Sequence, residues 1–358
     1  MAKSANNHQK LNLLQVFRGI AAVLVIFAHC DLIFNQNFQK DFLGKILNFG
    51  GSGVDFFFVL SGFIILYIHQ SDIGNISKLK SFFIKRVTRI YPIYWVVLTL
   101  KLSASLFFAY DPDTSQRSIL EIFKAFILFP QSREILSSSF LGVSWTLTYE
   151  VFFYIIFGLL IGLKPKLCFP IVSIWLLLTF THFIGIFDLP KDSLMLNFIF
   201  NEHNLEFFLG CLAAYVVSKH KIPQEMTLIC LGAFLYTLGA INYYYKVVDI
   251  SPIISFGIPS MLLVIGSTSL EIRKHVHVNQ ILIYIGNASY SIYLMHGFFI
   301  NNITKFVVKV APDITQNILI LNMLGLIIAF IALLFGCAVY SYIEKPLLTI
   351  FKPKLVTT

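Results

Sequence analysis

Charge is what this chain has least of: 13% of its 358 residues are Asp, Glu, Lys or Arg, against 57% hydrophobic. A soluble domain of that composition could not cover its own surface, so a soluble globular fold is excluded. Acids are scarcest, 18 against 27 Lys and Arg, for a formal charge of +9. In a soluble protein that excess would suggest nucleic acid. In an apolar chain it follows from the collection of Lys and Arg on cytoplasmic loops, and no nucleic-acid partner is expected. The five cysteines (Cys30, Cys168, Cys211, Cys230 and Cys337) fall inside apolar runs with no CxxC spacing. They read as packing residues rather than disulfides or metal ligands. Internal repeats and low-complexity tracts are missing, as is the apolar–polar alternation of a membrane β-barrel.

What is there is a series of apolar blocks of about 20 residues, the length of a membrane-crossing helix. They predict an all-α polytopic membrane protein with about ten spans, at about 12–33, 51–68, 91–109, 140–162, 167–187, 194–217, 226–245, 252–270, 281–300 and 318–341. Ile119–Pro130 is apolar but short, and reads as an interfacial or re-entrant piece. One domain is expected over 1–358, with its core at about 12–345 and short tails. The first block is expected not to be a cleaved leader, since it is long, holds Arg18 and lacks a small-x-small site. With the N-terminus inside, the even-numbered loops and tails collect 17 of the 27 Lys and Arg. That asymmetry predicts both termini in the cytoplasm.

An ionisable group inside a span costs a few kcal/mol and is a functional hypothesis by default. In "RGIAAVLVIFAHC", Arg18 and His29 are eleven positions apart. On a helix that is about three turns, nearly one face and roughly 16 Å. Asp55, in "GSGVDFFFVLSGF", is expected near the outer end of the second span. Glu150, in "SWTLTYEVFFY", is expected near mid-membrane, free to serve chemistry or to pair with Arg18 or Lys101. His296, in "YSIYLMHGFF", is expected in the outer half, as a reactive group or as an interhelical hydrogen-bonding residue. His203 and Glu206 have a metal-compatible i, i+3 spacing but no partner motif, so no metal is expected. His8, His69, His220, His275 and His277 read as loop or tail residues without a role.

"KRVTRIYPIYW" is different in kind. Arg86 and Arg89 lie three apart, so on a helix they can point the same way and grip one phosphate group. Lipid headgroups could use them too, although lysine would serve that purpose equally well. A phosphorylated donor arriving from the cytoplasm could then present a reactive group to His29, which is suited to take a proton from an alcohol. Acyl transfer from a thioester fits. A proton-coupled transporter would use similar residues.

The ordered blocks bear on that choice. The chain resembles the membrane acyltransferase-3 family, bacterial enzymes that O-acylate surface and exported polysaccharides. The resemblance rests on the basic residue, ten residues and histidine of Arg18 and His29, and on Gly50–Ile64. It continues through Arg86, Arg89, Pro92 and Trp95, Ser144–Tyr154, Glu206–Gly210, Tyr290–His296 and Glu344–Pro346. Many members carry two adjacent acids where this chain has Glu150 followed by Val151, so Glu150 must act alone. A short form is expected, without the hydrolase-like domain that longer members append.

The resemblance implies an acyl-CoA donor, most often acetyl-CoA. Arg86 and Arg89 would hold CoA phosphates and Arg18 would help place the donor. His29 would act as base or carry the acyl group briefly. Glu150 and Asp55 would orient His29 or the acceptor, and His296 would assist. The implied acceptor is a sugar hydroxyl of a glycan or lipid-linked glycan, such as lipopolysaccharide O-antigen or exopolysaccharide. Membrane lipids, and a separate glycan-handling protein, are the further partners implied. The location implied is the bacterial cytoplasmic (inner) membrane. The rival class is a transporter or flippase of a lipid-linked sugar, which predicts repeated halves with Gly/Pro-broken helices. A structural scaffold would leave Arg18, His29 and Glu150 unexplained.

Overall fold

The computed structural model describes residues 11–107, 117–311 and 317–351, with side chains omitted at 105–107. His8 and the tail lysines Lys3, Lys10, Lys352 and Lys354 lie outside the described residues. All described secondary structure is helical. Seven segments are long and apolar enough to cross a membrane: Asn12–Phe38, Asn48–Asp72, Ser144–Gly162, Pro165–Phe183, Glu225–Tyr245, Ile253–Arg273 and Ile318–Ile350. The other three expected spans fall on helices that fail that measure for visible reasons. The expected span at 91–109, on Leu79–Phe107, carries Lys101, and its end at 108–109 lies outside the described residues. His203–Lys219 has only 17 residues. Gln280–Val310 is 31 residues long but is diluted by Asn, Ser, Tyr and His. Among the described residues, length and composition thus support seven of the ten expected spans. The cytoplasmic placement of the termini is not decided by either.

We label Asn12–Phe38 α1, Gly53–His69 α2 and Leu79–Phe107 α3. Short helices α4 (Ile119–Phe126) and α5 (Arg133–Ser139) follow, then α6 (Ser144–Gly162) and α7 (Pro165–Phe183). Next come α8 (Leu194–Ile199), α9 (His203–Lys219), α10 (Glu225–Tyr245) and α11 (Ile258–Arg273). The chain closes with α12 (Gln280–Val310), α13 (Ile318–Val339) and α14 (Lys345–Ile350). The expected interfacial piece is α4. It is held to α3 by Tyr94 and Tyr91, whose hydroxyls donate to the Ala125 and Ile127 carbonyls (2.7 and 3.0 Å), and by the Trp95 indole, which donates to Phe126 (2.9 Å).

Two helix pairs position the site. α1 packs most extensively on α12, and α2 on α9. In lipid, close helix contact depends on small residues rather than on expulsion of water. At the α1–α12 crossing, a Cβ on Gly286 would sit 1.9 Å from the Gln15 carbonyl oxygen. Farther along both helices His29 meets His296, so the two run parallel. Gly286→Val should therefore push α12 off α1 and break that register. The expected result is a melting temperature lowered by several degrees together with a large loss of turnover, read by thermal unfolding and an acyl-transfer assay. An unchanged melting temperature would refute the close crossing.

The α1–α2 connection does not lead straight to a second span. Asp31 accepts from the Phe42 amide (2.8 Å) and Asn322 from that of Leu43 (2.9 Å), turning the chain back into the bundle. Residues 48–52 then lie along α1. A Cβ on Gly50 would be 2.2 Å from the Leu24 carbonyl oxygen. α2 thus begins halfway along α1, and Phe56 packs on Phe17 (ring centroids 6.0 Å).

Candidate active site

His29 on α1 and His296 on α12 pack edge to face, with ring centroids 4.6 Å apart and planes at 82°. Each ring is tied by Nδ1 to the carbonyl one turn earlier, His29 to Val25 (3.0 Å) and His296 to Ile292 (3.3 Å). A carbonyl can only accept, so Nδ1 carries the proton in both rings and each Nε2 presents a lone pair. His29 is partly exposed, whereas His296 is fully buried and its Nε2 has no hydrogen-bond partner. An orphaned buried nitrogen costs stability and so marks a site kept for something other than folding.

Two spaces lie near the histidine pair; His29 lines the second, and neither histidine lines the first. The first is a narrow cavity of about 70 Å³ that collects Arg18 from α1, Arg89 from α3, Glu150 from α6, and Tyr290 and Tyr293 from α12. The ion pairs within 4.0 Å among the described residues include neither arginine. Glu150 and Glu344 act on both at longer range. Glu150 accepts a hydrogen bond from Tyr154, and Glu344 accepts one from Ser291. Glu344 reaches Ser291 from a π-helical turn, Tyr340–Glu344, a widening of the helix common at functional sites.

The second space is a cleft of about 680 Å³ lined by His29 together with residues of α3, α5, α6 and α12. Tyr293 lines the narrow cavity, bonds Thr146 through its hydroxyl (2.9 Å) and packs on His296 (centroids 5.7 Å), which joins that cavity to the histidine pair.

The residues singled out in the sequence therefore separate into four places. His29 and His296 come together. Arg18, Arg89 and Glu150 share the narrow cavity with Tyr293. Lys101, a partner considered for Glu150, instead donates to the Phe140 carbonyl and lines the cleft. Arg86 turns away from Arg89's cavity. It is buried, donates to His69 Nε2 (2.8 Å), and its guanidinium lies 5.5 and 5.6 Å from the Phe82 and Tyr154 ring centroids. His69, read from the sequence as a loop residue without a role, is the buried bridge between Arg86 and Asp72, with its Nδ1 2.7 Å from Asp72 Oδ2.

Asp55 forms the fourth place with His203 and Glu206. Their ligand atoms lie within 4.8 Å of one another, and His203 Nδ1 is 3.0 Å from Glu206 Oε2. Asp55 is the missing partner for the His203/Glu206 spacing, brought in by the parallel packing of α2 on α9. The three side chains have the composition and spacing of a cation site, and Glu206 Oε1 is buried there without a hydrogen-bond partner. Asp55 is set away from the His29 ring: Gly53 lies against Ala21 and Phe56 against Phe17, both more than a turn before His29 on α1.

Sequence reasoning missed four lining groups of the cleft: Arg133, Trp145, Arg117 and Lys305. Trp145 lies in the same "SWTLTYE" block as Glu150 and was within reach. The cations come from separate loops and helices, and no local pattern connects them.

Several long apolar helices bundled around buried polar groups make this a multi-pass membrane protein. The acyltransferase domain family matches residues 11–342, nearly the whole chain, and this chain belongs to that family, acyltransferase-3. It is 28% identical over 322 residues to the exopolysaccharide production protein ExoZ of Rhizobium meliloti (strain 1021), covering 88% of this chain and 94% of that protein. A protein of the Acidianus two-tailed virus, provisionally named an acetyltransferase, is 24% identical over 78% of this chain and 80% of its own. A Staphylococcus aureus (strain COL) protein, provisionally named an O-acetyltransferase, is 24% identical over 82% of this chain but only 52% of its own length. No solved structure matches the chain.

Proposed function

We propose that this acyltransferase moves an acyl group, most simply acetyl, from acyl-CoA to a sugar hydroxyl of a bacterial surface or exported polysaccharide at the inner membrane. The observation that carries the reading is the His29–His296 pair, with His29 open to the broad cleft and His296 packed on Tyr293 of the arginine-lined cavity. Arg18 and Arg89 offer two guanidiniums without close acidic partners, a fit for the anionic carrier of a thioester. Glu150 and Glu344 moderate their mutual repulsion when the donor is away. The narrow cavity suits the slender thioester arm, with the phosphates held at its arginines.

The acceptor hydroxyl occupies the cleft. His29 Nε2 takes its proton, the sugar oxygen attacks the thioester carbonyl, the C–S bond breaks, and the leaving thiolate recovers the proton from His29. Buried and neutral, His296 holds the His29 ring and presents no second charge to the transient imidazolium. In this reading Arg86 supports the fold beside the donor site rather than gripping phosphate, and Asp55 belongs to the α2–α9 junction. The name of the Rhizobium relative supports a polysaccharide acceptor, and those of the viral and staphylococcal relatives support acetyl.

Mass and NMR analysis of the surface glycan from cells with and without the gene tests the proposal. The expected result is loss of one O-acyl ester at a single sugar position, restored by the wild-type gene. An unchanged acyl pattern would refute it.

A further inference from the structure

The junction of α2 with α9 draws three ligand-bearing side chains to a place the acyl-transfer reading does not use. Asp55 stands in the first turn of α2, and His203 and Glu206 in the first turn of α9. Farther along, a Cβ on Gly62 would lie 2.0 Å from the Phe207 carbonyl oxygen, and one on Gly210 would lie 1.9 Å from that of Val59. This close approach fixes the relative height of the helices. It leaves one ligand atom each of Asp55, His203 and Glu206 within 4.8 Å of one another, with His203 Nδ1 already 3.0 Å from Glu206 Oε2. Spacing along the chain gives His203 and Glu206 no third ligand; the fold supplies it.

Both acids are buried, Glu206 fully and Asp55 nearly so. Among the described residues neither has a Lys or Arg within 4.0 Å, and His203 is the ion-pair partner of Glu206. Glu206 Oε1 has no hydrogen-bond partner there. Glu202, just before α9, adds its negative field to both acids. Buried carboxylates without counter-charge are costly, and one shared proton would neutralise only one of them. A divalent cation neutralises both and gives Oε1 a partner. A π-helical turn, Ile253–Gly257, closes over the place, where a Cβ on Gly257 would be 3.5 Å from Glu206 Cγ. Such turns recur at functional sites.

The donor set decides the class of ion. Two carboxylates with one imidazole suit Zn²⁺ or Mn²⁺, whereas Ca²⁺ and Mg²⁺ take oxygen ligands throughout. We infer that Asp55, His203 and Glu206 bind one divalent transition-metal ion, Zn²⁺ more tightly than Mn²⁺, with water completing its shell. The ion clamps α2 to α9 and steadies the wall of the cleft through His203. That ring lies 5.2 Å from Trp145, which lines the cleft and carries the Arg133 guanidinium at 3.7 Å.

The test uses the full chain, purified through a tag without histidine, held in lipid nanodiscs, stripped with chelator and titrated with Zn²⁺. One equivalent should survive desalting and raise the melting temperature. Glu206→Gln should weaken Zn²⁺ binding by more than about 100-fold, beyond the cost of losing a residue that merely supports a ligand. Its metal-free melting temperature should be no lower than that of the stripped wild type. His275→Gln combined with His277→Gln, both exposed, should leave the stoichiometry unchanged.

X-ray absorption on the Zn²⁺-loaded wild type needs no variant to fold. The expected shell holds one imidazole among oxygens, without sulfur. Failure to retain the ion would overturn the inference, leaving the three side chains to share protons only. Loss of the ion with His275 and His277 instead of Glu206 would also overturn it, as would a shell of sulfur or several imidazoles. Every readout is metal binding, so the acyl-transfer reading stands or falls separately.

Discussion

His29→Ala is expected to lower acyl transfer by about 10²–10⁴-fold, the range supplied by a positioned general base, while the protein inserts and melts as the wild type does. The separation of effects follows from geometry. The His29 ring is partly exposed on the cleft, and its hydrogen bond is to the backbone of its own helix at Val25. Removing it breaks no interhelical hydrogen bond, although it does remove the edge-to-face contact with His296. His296→Ala should behave differently. That ring is fully buried against His29 and Tyr293, so its loss leaves a cavity, and both stability and turnover should fall. Steady-state transfer with thermal unfolding on the two variants checks the distinction. Comparable melting losses for both would place His29 in the packing rather than the chemistry.

Arg18→Ala combined with Arg89→Ala should weaken acetyl-CoA binding by about 10²-fold or more, since each charge-assisted contact contributes about 1.5–3 kcal/mol. Arg86→Ala should do something else. Arg86 donates to His69 and lies between Phe82 and Tyr154, so its loss strips a buried bond and should lower the melting temperature. Any weakening of donor binding should then be secondary and smaller. Calorimetric binding and melting on the two constructions decide the matter. Should Arg86→Ala cost donor affinity as much as Arg89→Ala with no change in melting, the two arginines form one phosphate grip, as their spacing alone suggests.

The contrast shows where sequence spacing stops. Three residues along a helix turn a side chain by about 300°, which leaves a gap of about 60°. Here that gap is enough to send Arg89 into the cavity and Arg86 toward His69. The eleven-residue interval from Arg18 to His29 was legible as a distance along α1. Which cavity each residue faces was not, because the walls of both spaces come from several other helices, Tyr293 and Thr146 among them. The pairing of His296 with His29 was foreshadowed by their common depth in parallel helices, but contact depended on the close crossing at Gly286. Asp55 was misplaced in depth for one reason. The reading took the second apolar block to start at the membrane edge, whereas residues 39–52 fold back along α1 to Leu24 before α2 begins. Helical class and the alternation of apolar blocks were fully readable, since length and composition suffice for them. The basic cleft was not, because its cations meet only after the bundle has assembled.

The central claim is that donor and acceptor approach the histidine pair from opposite sides. It is tested most directly in sealed proteoliposomes with the protein in one known orientation. Carbon-13-labelled acetyl-CoA is placed on one side, and glycan from cells lacking the gene on the other. Labelled ester should form only when the donor is on the side of Arg18 and Arg89 and the glycan on the side of the cleft. Ester formation only when both are on the same side would contradict the account.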